Sequence, residues 1–164
     1  MPRINLFQRD NQSFQAWSFA PNYGGSSLDI AKAWESTKLG FHAEVLDPGK
    51  FSCPYHRHER EEELFIVLEG KALCREEDQV FEISKGELVF FKTGIAHQFY
   101  NHTAEPFIFF ALSNKDSGDV CEYPDSKKIL NYATKTLTQK GVPTDNYWKD
   151  EENPRAHWPL GSIC

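Results

Sequence analysis

The sequence lacks a basic face. Lys and Arg number 18 against 24 Asp and Glu, for a formal net charge of −6. No cationic surface is left to neutralise a phosphate backbone, and no helix-turn-helix segment is evident, so a nucleic-acid-binding protein is excluded. Long apolar runs are missing too. None approaches the roughly 20 residues needed to cross a bilayer. The opening stretch, Met1-Pro-Arg-Ile-Asn-Leu-Phe-Gln-Arg-Asp10, has no apolar signal core. We therefore expect no membrane partner and a cytoplasmic protein with reduced thiols. Cysteine is sparse: Cys53, Cys74, Cys121 and Cys164 form no C-x-x-C pair, which argues against a structural zinc site. The triplets Asn11-Gln-Ser13 and Asn101-His-Thr103 look like glycosylation acceptors, but they carry no weight without secretion.

Aromatic residues are plentiful. They make up 14% of the 164 residues, led by 13 Phe, so a packed interior is expected and disorder is not. The chain reads as one domain over residues 1–164. It divides into an N-terminal arm (1–40), a barrel core (about 41–112) and a tail (113–164). In the arm, Phe14, Trp17 and Phe19 call for burial, while Pro21, Gly24 and Gly25 break regular structure. Residues 28–35 fit a short helix, with Ser27 or Asp29 as its cap.

From Phe41 the texture changes to short apolar runs separated by turn signals. The runs are 41–46, 51–58, 63–68, 71–75, 79–83, 87–91, 95–101 and 106–112. This spacing predicts an all-β sandwich or barrel, and eight short strands fit a double-sheet jelly roll. Runs 64–68 and 106–112 are apolar on both faces, although a sandwich strand normally has one polar face. The arm, the tail or a second subunit must cover the outer side, and a homodimer is expected. The tail is punctuated by Pro124, Pro143, Pro154 and Pro159 and carries Tyr123, Tyr147, Trp148 and Trp158. It should lie against a surface, irregular but with one helix over 126–136.

The chemistry concentrates in residues 49–101. His56-x-His58 puts two imidazoles on one face if the segment is a strand. On a helix they would diverge by about 200°, and Pro54 argues against helix. Glu59, Glu61, Glu62 and Glu63 follow, and His97 comes after Gly86 and Gly94. Imidazoles with a carboxylate are a donor set that divalent transition metals favour. Cys53 points away from the histidine face by strand parity and reads as an inert thiol. His42 shares a face with Glu44 and reads as exposed or as an outer neighbour of the site. His102 and the remaining loop glutamates read as solvated. No second acid–base pair, Ser-His-Asp arrangement or phosphate-cradling glycine loop is evident inside.

These two stretches resemble the motifs of the cupin superfamily. The first pattern, G-x5-H-x-H-x3 or 4-E-x6-G, is met by His56, His58, Glu63 and Gly70, with Gly49 one residue farther out than the pattern asks. The distance to Gly70 selects Glu63 from the competing glutamates. The second, G-x5-P-x-G-x2-H-x3-N, is met by Gly86, Gly94, His97 and Asn101, with Lys92 in place of the proline. The chain also looks like single-domain cupins with a Tyr-Pro-Asp-Ser stretch after the barrel, here Tyr123-Pro-Asp-Ser126.

The resemblance implies a double-stranded β-helix holding one divalent transition metal (Fe, Mn, Ni, Co, Zn or Cu) on His56, His58, Glu63 and His97. Strand parity adds Phe65, Val67 and Phe99 as walls of a pocket for a small organic ligand. The expected function is a metal-dependent enzyme: a dioxygenase, decarboxylase or isomerase. Oxygenation leads, because this donor set leaves adjacent open positions on the metal. The alternative is a non-catalytic binding or sensing module.

Overall fold

In a computed structural model, described here over residues 1–8, 13–159 and 161, the chain is an all-β double-stranded β-helix. The arm contributes β1 (Gln15–Phe19), β2 (Tyr23–Leu28) and a single-turn helix α1 (Ile30–Ala33). The barrel is built from β3 (Leu39–Leu46), β4 (Arg57–His58), β5 (Glu63–Glu69), β6 (Lys71–Glu76), β7 (Gln79–Ser84), β8 (Leu88–Phe91), β9 (His97–Tyr100) and β10 (Phe107–Asn114). The tail adds β11 (Val120–Tyr123), β12 (Lys128–Asn131), β13 (Thr136–Gln139) and β14 (Val142–Pro143). No described helix is long and apolar enough to cross a membrane.

Three sheets result. One has the order β1-β2-β3-β10-β5-β8, the second β14-β13-β12-β11-β4 and the third β7-β6-β9. All the pairings between these strands are antiparallel. The inward faces of β3, β5, β8, β9 and β10 close over an aromatic core that includes Phe65, Phe91, Phe99, Phe107 and Phe109. Edge-to-face pairs such as Phe65–Phe99, with centroids 4.9 Å apart, order this interior. Gly70, which closes the first motif, has φ +76°, and a Cβ there would lie 2.4 Å from Pro106 O. Only glycine fits the β5–β6 turn.

Expectations change at residues 15–28, 28–35, 51–58 and 126–136. Residues 15–28 form a β-hairpin that extends the first sheet; they are not an irregular arm. Gly25 permits this, since a Cβ there would meet Val45 O at 2.2 Å. The run 51–58 is strand only at Arg57–His58, with Phe51 held in isolated bridges to Tyr23 and Tyr100. Residues 126–136 are not a helix: β12 and β13 pair as a hairpin, and Lys127 and Lys135 take left-handed φ of 60° and 55° at its turns. Asn101 is a fully buried anchor, its side-chain amide donating to Leu46 O and Glu105 O, so its triplet is a turn of the core. The other triplet includes Asn11 and Gln12, which lie outside the described residues, as does Cys164. The helix over 28–35 shrinks to α1, capped by the Asp29 carboxylate, which accepts from Lys32 N.

The tail lies against the barrel. Trp158 Nε1 donates to Gln98 Oε1 at 2.7 Å, and Trp158 packs with Tyr23, Phe51 and Tyr100. The Tyr123-Pro-Asp-Ser126 stretch supplies a clamp. Asp125 accepts two bonds from Arg75, at 2.7 and 3.1 Å, while the guanidinium sits 3.7 Å above the Tyr55 ring. Buried Lys128 pairs with Glu151 at 2.8 Å.

Candidate metal centre

The second-motif turn delivers His97 to the first motif. Ile95 N donates to Lys92 O, and Gly94, with φ +81°, lets the chain turn so that its N donates to His58 O at 2.7 Å. His56 and His97 then bridge backbone to backbone, through His56 N to His97 O at 3.2 Å and His97 N to His56 O at 2.9 Å. Glu63 enters from the first residue of β5.

The four side chains converge on one point. Glu63 Oε2 lies 3.0 Å from His97 Nε2 and 3.7 Å from both His56 Nε2 and His58 Nε2. Each ring has its other nitrogen engaged. Nδ1 of His56 faces Pro54 O at 3.0 Å, Nδ1 of His58 faces Asp119 Oδ2 at 2.6 Å, and Nδ1 of His97 faces Ile95 O at 3.2 Å. Carbonyl and carboxylate oxygens only accept, so Nδ1 carries the proton in each ring. Each ring is thereby turned with Nε2 inward, the nitrogen that would ligate an ion. Phe91 stacks flat on His97, with centroids 3.8 Å and planes 2° apart, and fixes that ring.

The electrostatics match this donor set. Burial opposes ionisation of Glu63, but the adjacent His97 imidazole, with those of His56 and His58, outweighs it and holds the carboxyl well below the usual range. Burial also holds the His97 imidazole below its ordinary value, against the pull of Glu63. Both Glu63 Oε2 and His97 Nε2 are buried without a geometrically good hydrogen bond. Orphaned buried donors of this kind fit a cation between them. His56, Glu63 and His97 could hold an ion together, and His58 Nε2 lies 3.7 Å from the same carboxylate oxygen.

Several residues sit closer to the centre than the sequence suggested. Asp119 is fully buried, holds His58 and also accepts from Arg60 N at 2.7 Å. It lies in the tail, and no local signal marks it. Cys121 approaches His56 and His58, but burial pushes its thiol up. Cys53 does not point away: its Sγ is 3.5 Å from His56 Nδ1. Residues 52–55 are bends without the alternation of a pleat. Burial pushes that thiol up too. Glu61 is partly buried, accepts from Asp116 N and clusters with His58 and Asp119, whereas Glu59 and Glu62 are exposed. His102 pairs with Glu82 at 3.1 Å.

A cavity of about 200 Å³ adjoins the cluster, lined by His42, Glu44, Ser52, Cys53, His56, Glu63, Phe65, His97, Phe99 and Phe109. Phe65 and Phe99 are walls, as expected. Val67 is not among the lining residues. It shares the inward face but lies two residues deeper along β5, buried in the core. His42 and Glu44, expected at the margin, line the cavity itself.

A cupin-domain family model matches residues 43–113. Among solved structures, one named as a sugar phosphate isomerase of the cupin superfamily, from Silicibacter pomeroyi DSS-3, is 24% identical, with a TM-score of 0.74 over 87% of this chain and 96% of its own. A second, from Acidithiobacillus ferrooxidans ATCC 23270 and provisionally given the sugar phosphate isomerase name, is 23% identical, with a TM-score of 0.72 over 87% and 89%. The polyketide cyclase RemF from Streptomyces resistomycificus is 18% identical, with a TM-score of 0.55 over 71% and 80%. No curated protein sequence matches the chain. The double-stranded β-helix and the cupin-domain match over residues 43–113 are what this chain shares with the cupin structures.

Proposed function

We propose that the chain holds one divalent transition ion on His56, His58, Glu63 and His97 and acts on a small organic molecule in the adjoining cavity. The supporting observation is the convergence of three Nε2 atoms within 3.7 Å of one Glu63 oxygen, each ring being turned by an acceptor on its far nitrogen. Three neutral imidazoles and a carboxylate leave a six-coordinate ion with open positions. An ion bound there supplies Lewis acidity toward a carbonyl or carboxylate oxygen. An N/O donor set does not choose among Fe, Mn, Ni, Co, Zn and Cu, so supply decides. Phe65, Phe99 and Phe109 exclude water from the ligand's carbon skeleton, and Glu63 remains ionised beside it.

Of oxygen insertion, decarboxylation and isomerisation, we favour isomerisation of a hydroxy-carbonyl compound. The two neighbours that each span 87% of this chain both bear the sugar phosphate isomerase name. The test is elemental analysis of the purified protein, then turnover of small hydroxy-carbonyl compounds with and without metal. Metal-dependent conversion supports the enzyme reading. Saturable binding without conversion replaces it with the sensing module, and an absence of metal uptake rejects the site.

We further infer a homodimer. The outward faces of β3 and β8 expose Leu39, Leu88 and Phe90, and Trp34 after α1 is exposed as well. The β1–β2 hairpin extends the sheet edge and the tail packs with β4. Trp34 of the arm reaches Phe41, which in turn meets Phe110, and a second copy is the cover we infer for the exposed Leu88 and Phe90. The free thiols of Cys53, Cys74 and Cys121 accord with a cytoplasmic location.

A further inference from the structure

The cavity has a second polar pole. His42 and Glu44 lie on β3, separated from β5 by β10, and the register aligns them in rows. Ser113 sits between Gly40 and Glu63, Ala111 between His42 and Phe65, and Phe109 between Glu44 and Val67. Two strand spacings put the β3 and β5 backbones about 10 Å apart. His42 and Glu44 both line the cavity that Glu63, His56 and His97 line from the other side.

Glu44 Oε2 is 3.5 Å from His42 Nε2, while Glu44 Oε1 is buried with no partner. The His42 ring is set edge-on to Phe109, with centroids 6.4 Å apart. A buried carboxylate oxygen with no donor bears an uncompensated desolvation cost. In a cavity open to a ligand, a donor carried by that ligand removes it. An ionised carboxylate only accepts, so the ligand must bring an O–H or N–H.

Resting on the metal-binding reading above, we propose that Glu44, backed by His42, is the hydroxyl-recognising pole of this cavity, and that its ligand is a short hydroxylated carbonyl or carboxylate compound. One oxygen faces the Glu63–imidazole pole. A hydroxyl on the far carbon donates to Glu44 Oε1, and the intervening carbons lie against Phe65, Phe99 and Phe109. A volume of about 200 Å³ suits a chain of a few carbons. His42, Glu44 and Glu63 also line an outer groove of about 710 Å³, so a longer ligand extends outward past this pole.

The experiment uses the full chain loaded with cobalt(II), whose visible bands report ligand entry. The probes are 3-hydroxypropionate and propionate, which share a carboxylate and differ by the terminal hydroxyl. We expect the hydroxylated probe to bind the wild type about tenfold more tightly, the worth of one hydrogen bond to a charged group. Glu44→Ala should abolish that preference and Glu44→Gln, which keeps an acceptor, should retain part of it. Both should leave cobalt affinity within about twofold, because neither removes a metal donor. Equal affinity for the two probes in the wild type, no binding of either, or a preference that survives Glu44→Ala overturns the proposal. A wild type that takes up no cobalt overturns the metal reading beneath it, which separates the two failures.

Discussion

Asp119 Oδ2 accepts a hydrogen bond from His58 Nδ1 at 2.6 Å across 61 residues of sequence. The carboxylate fixes the tautomer and the orientation that turn Nε2 toward Glu63. Asp119→Asn keeps an acceptor but loses the charge. We predict a 10- to 100-fold loss of metal affinity, the usual range for partners behind a ligand (about 10–100-fold). Calorimetric titration with zinc(II) measures it, and an unchanged affinity would show that Asp119 serves the fold alone.

Glu63→Gln should cost more than that, above about 100-fold, because a neutral amide replaces the one anionic donor at the centre. Glu62→Gln should change little, since Glu62 is exposed. Glu61→Gln should fall between them through its place beside His58 and Asp119. Titrations of the three variants at neutral pH give the order, and a larger loss for Glu62→Gln would move the ligand register by one residue.

Acid should destabilise the metal-free protein in two steps. His97 is held below its ordinary value by burial, and Glu63 below its own by the imidazoles in spite of burial. For both, the unfolded chain binds more protons than the folded one, so stability falls as pH drops. The first window opens below about pH 6.5 and the second below about pH 4.5. His42 has the opposite sign. Burial lowers its value, but Glu44 outweighs that and raises it, so its contribution is complete below pH 6.5 and is lost above its folded value. Urea midpoints of wild type and His97→Gln, compared between pH 7.5 and 5, isolate the first window. Parallel curves would remove His97 from the account.

Asp125→Ala should destabilise the fold by about 3 kcal/mol, because it leaves the largely buried Arg75 guanidinium unpaired. Equilibrium unfolding in urea reads this loss. A change under about 0.5 kcal/mol would mean that the Tyr55 ring alone holds Arg75.

Phe90→Lys or Leu88→Lys should turn the expected dimer into a monomer in light scattering without loss of fold, because a charge in an apolar interface is costly to desolvate. A wild type that is already monomeric would leave the outer face without the partner inferred for it.

The barrel was largely legible because its strands obey local rules. From Phe41 to Leu112, apolar runs and turn residues follow one another at strand spacing, and seven of the eight runs appear as strands close to the expected bounds. Of the four candidate ligands, the three histidines stand out as residues, whereas only the resemblance to the family motif separates Glu63 from Glu59, Glu61 and Glu62; the structure brings these four side chains together. What escaped was set by contacts distant in sequence. Gly24 and Gly25 look like breakers, yet Gly25 is needed where β2 crosses Val45 O. Asp119 and Cys121 reach the centre only because β11 pairs with β4. In the sequence Glu44 is marked only by sharing a strand face with His42. Its buried, unpartnered oxygen becomes visible only once β10 and β5 close the cavity around it.

The pairing of β11 with β4 has a wider consequence. His58, a candidate ligand, sits in a strand of two residues whose ladder is completed by Cys121 and Glu122 of the tail. Binding of an ion at the proposed centre and docking of the tail would therefore be coupled equilibria, each favouring the other to the same degree. A protease that nicks the tail would act as a chelator at a distance, and scarcity of metal would be read out as exposure of the last third of the chain to degradation.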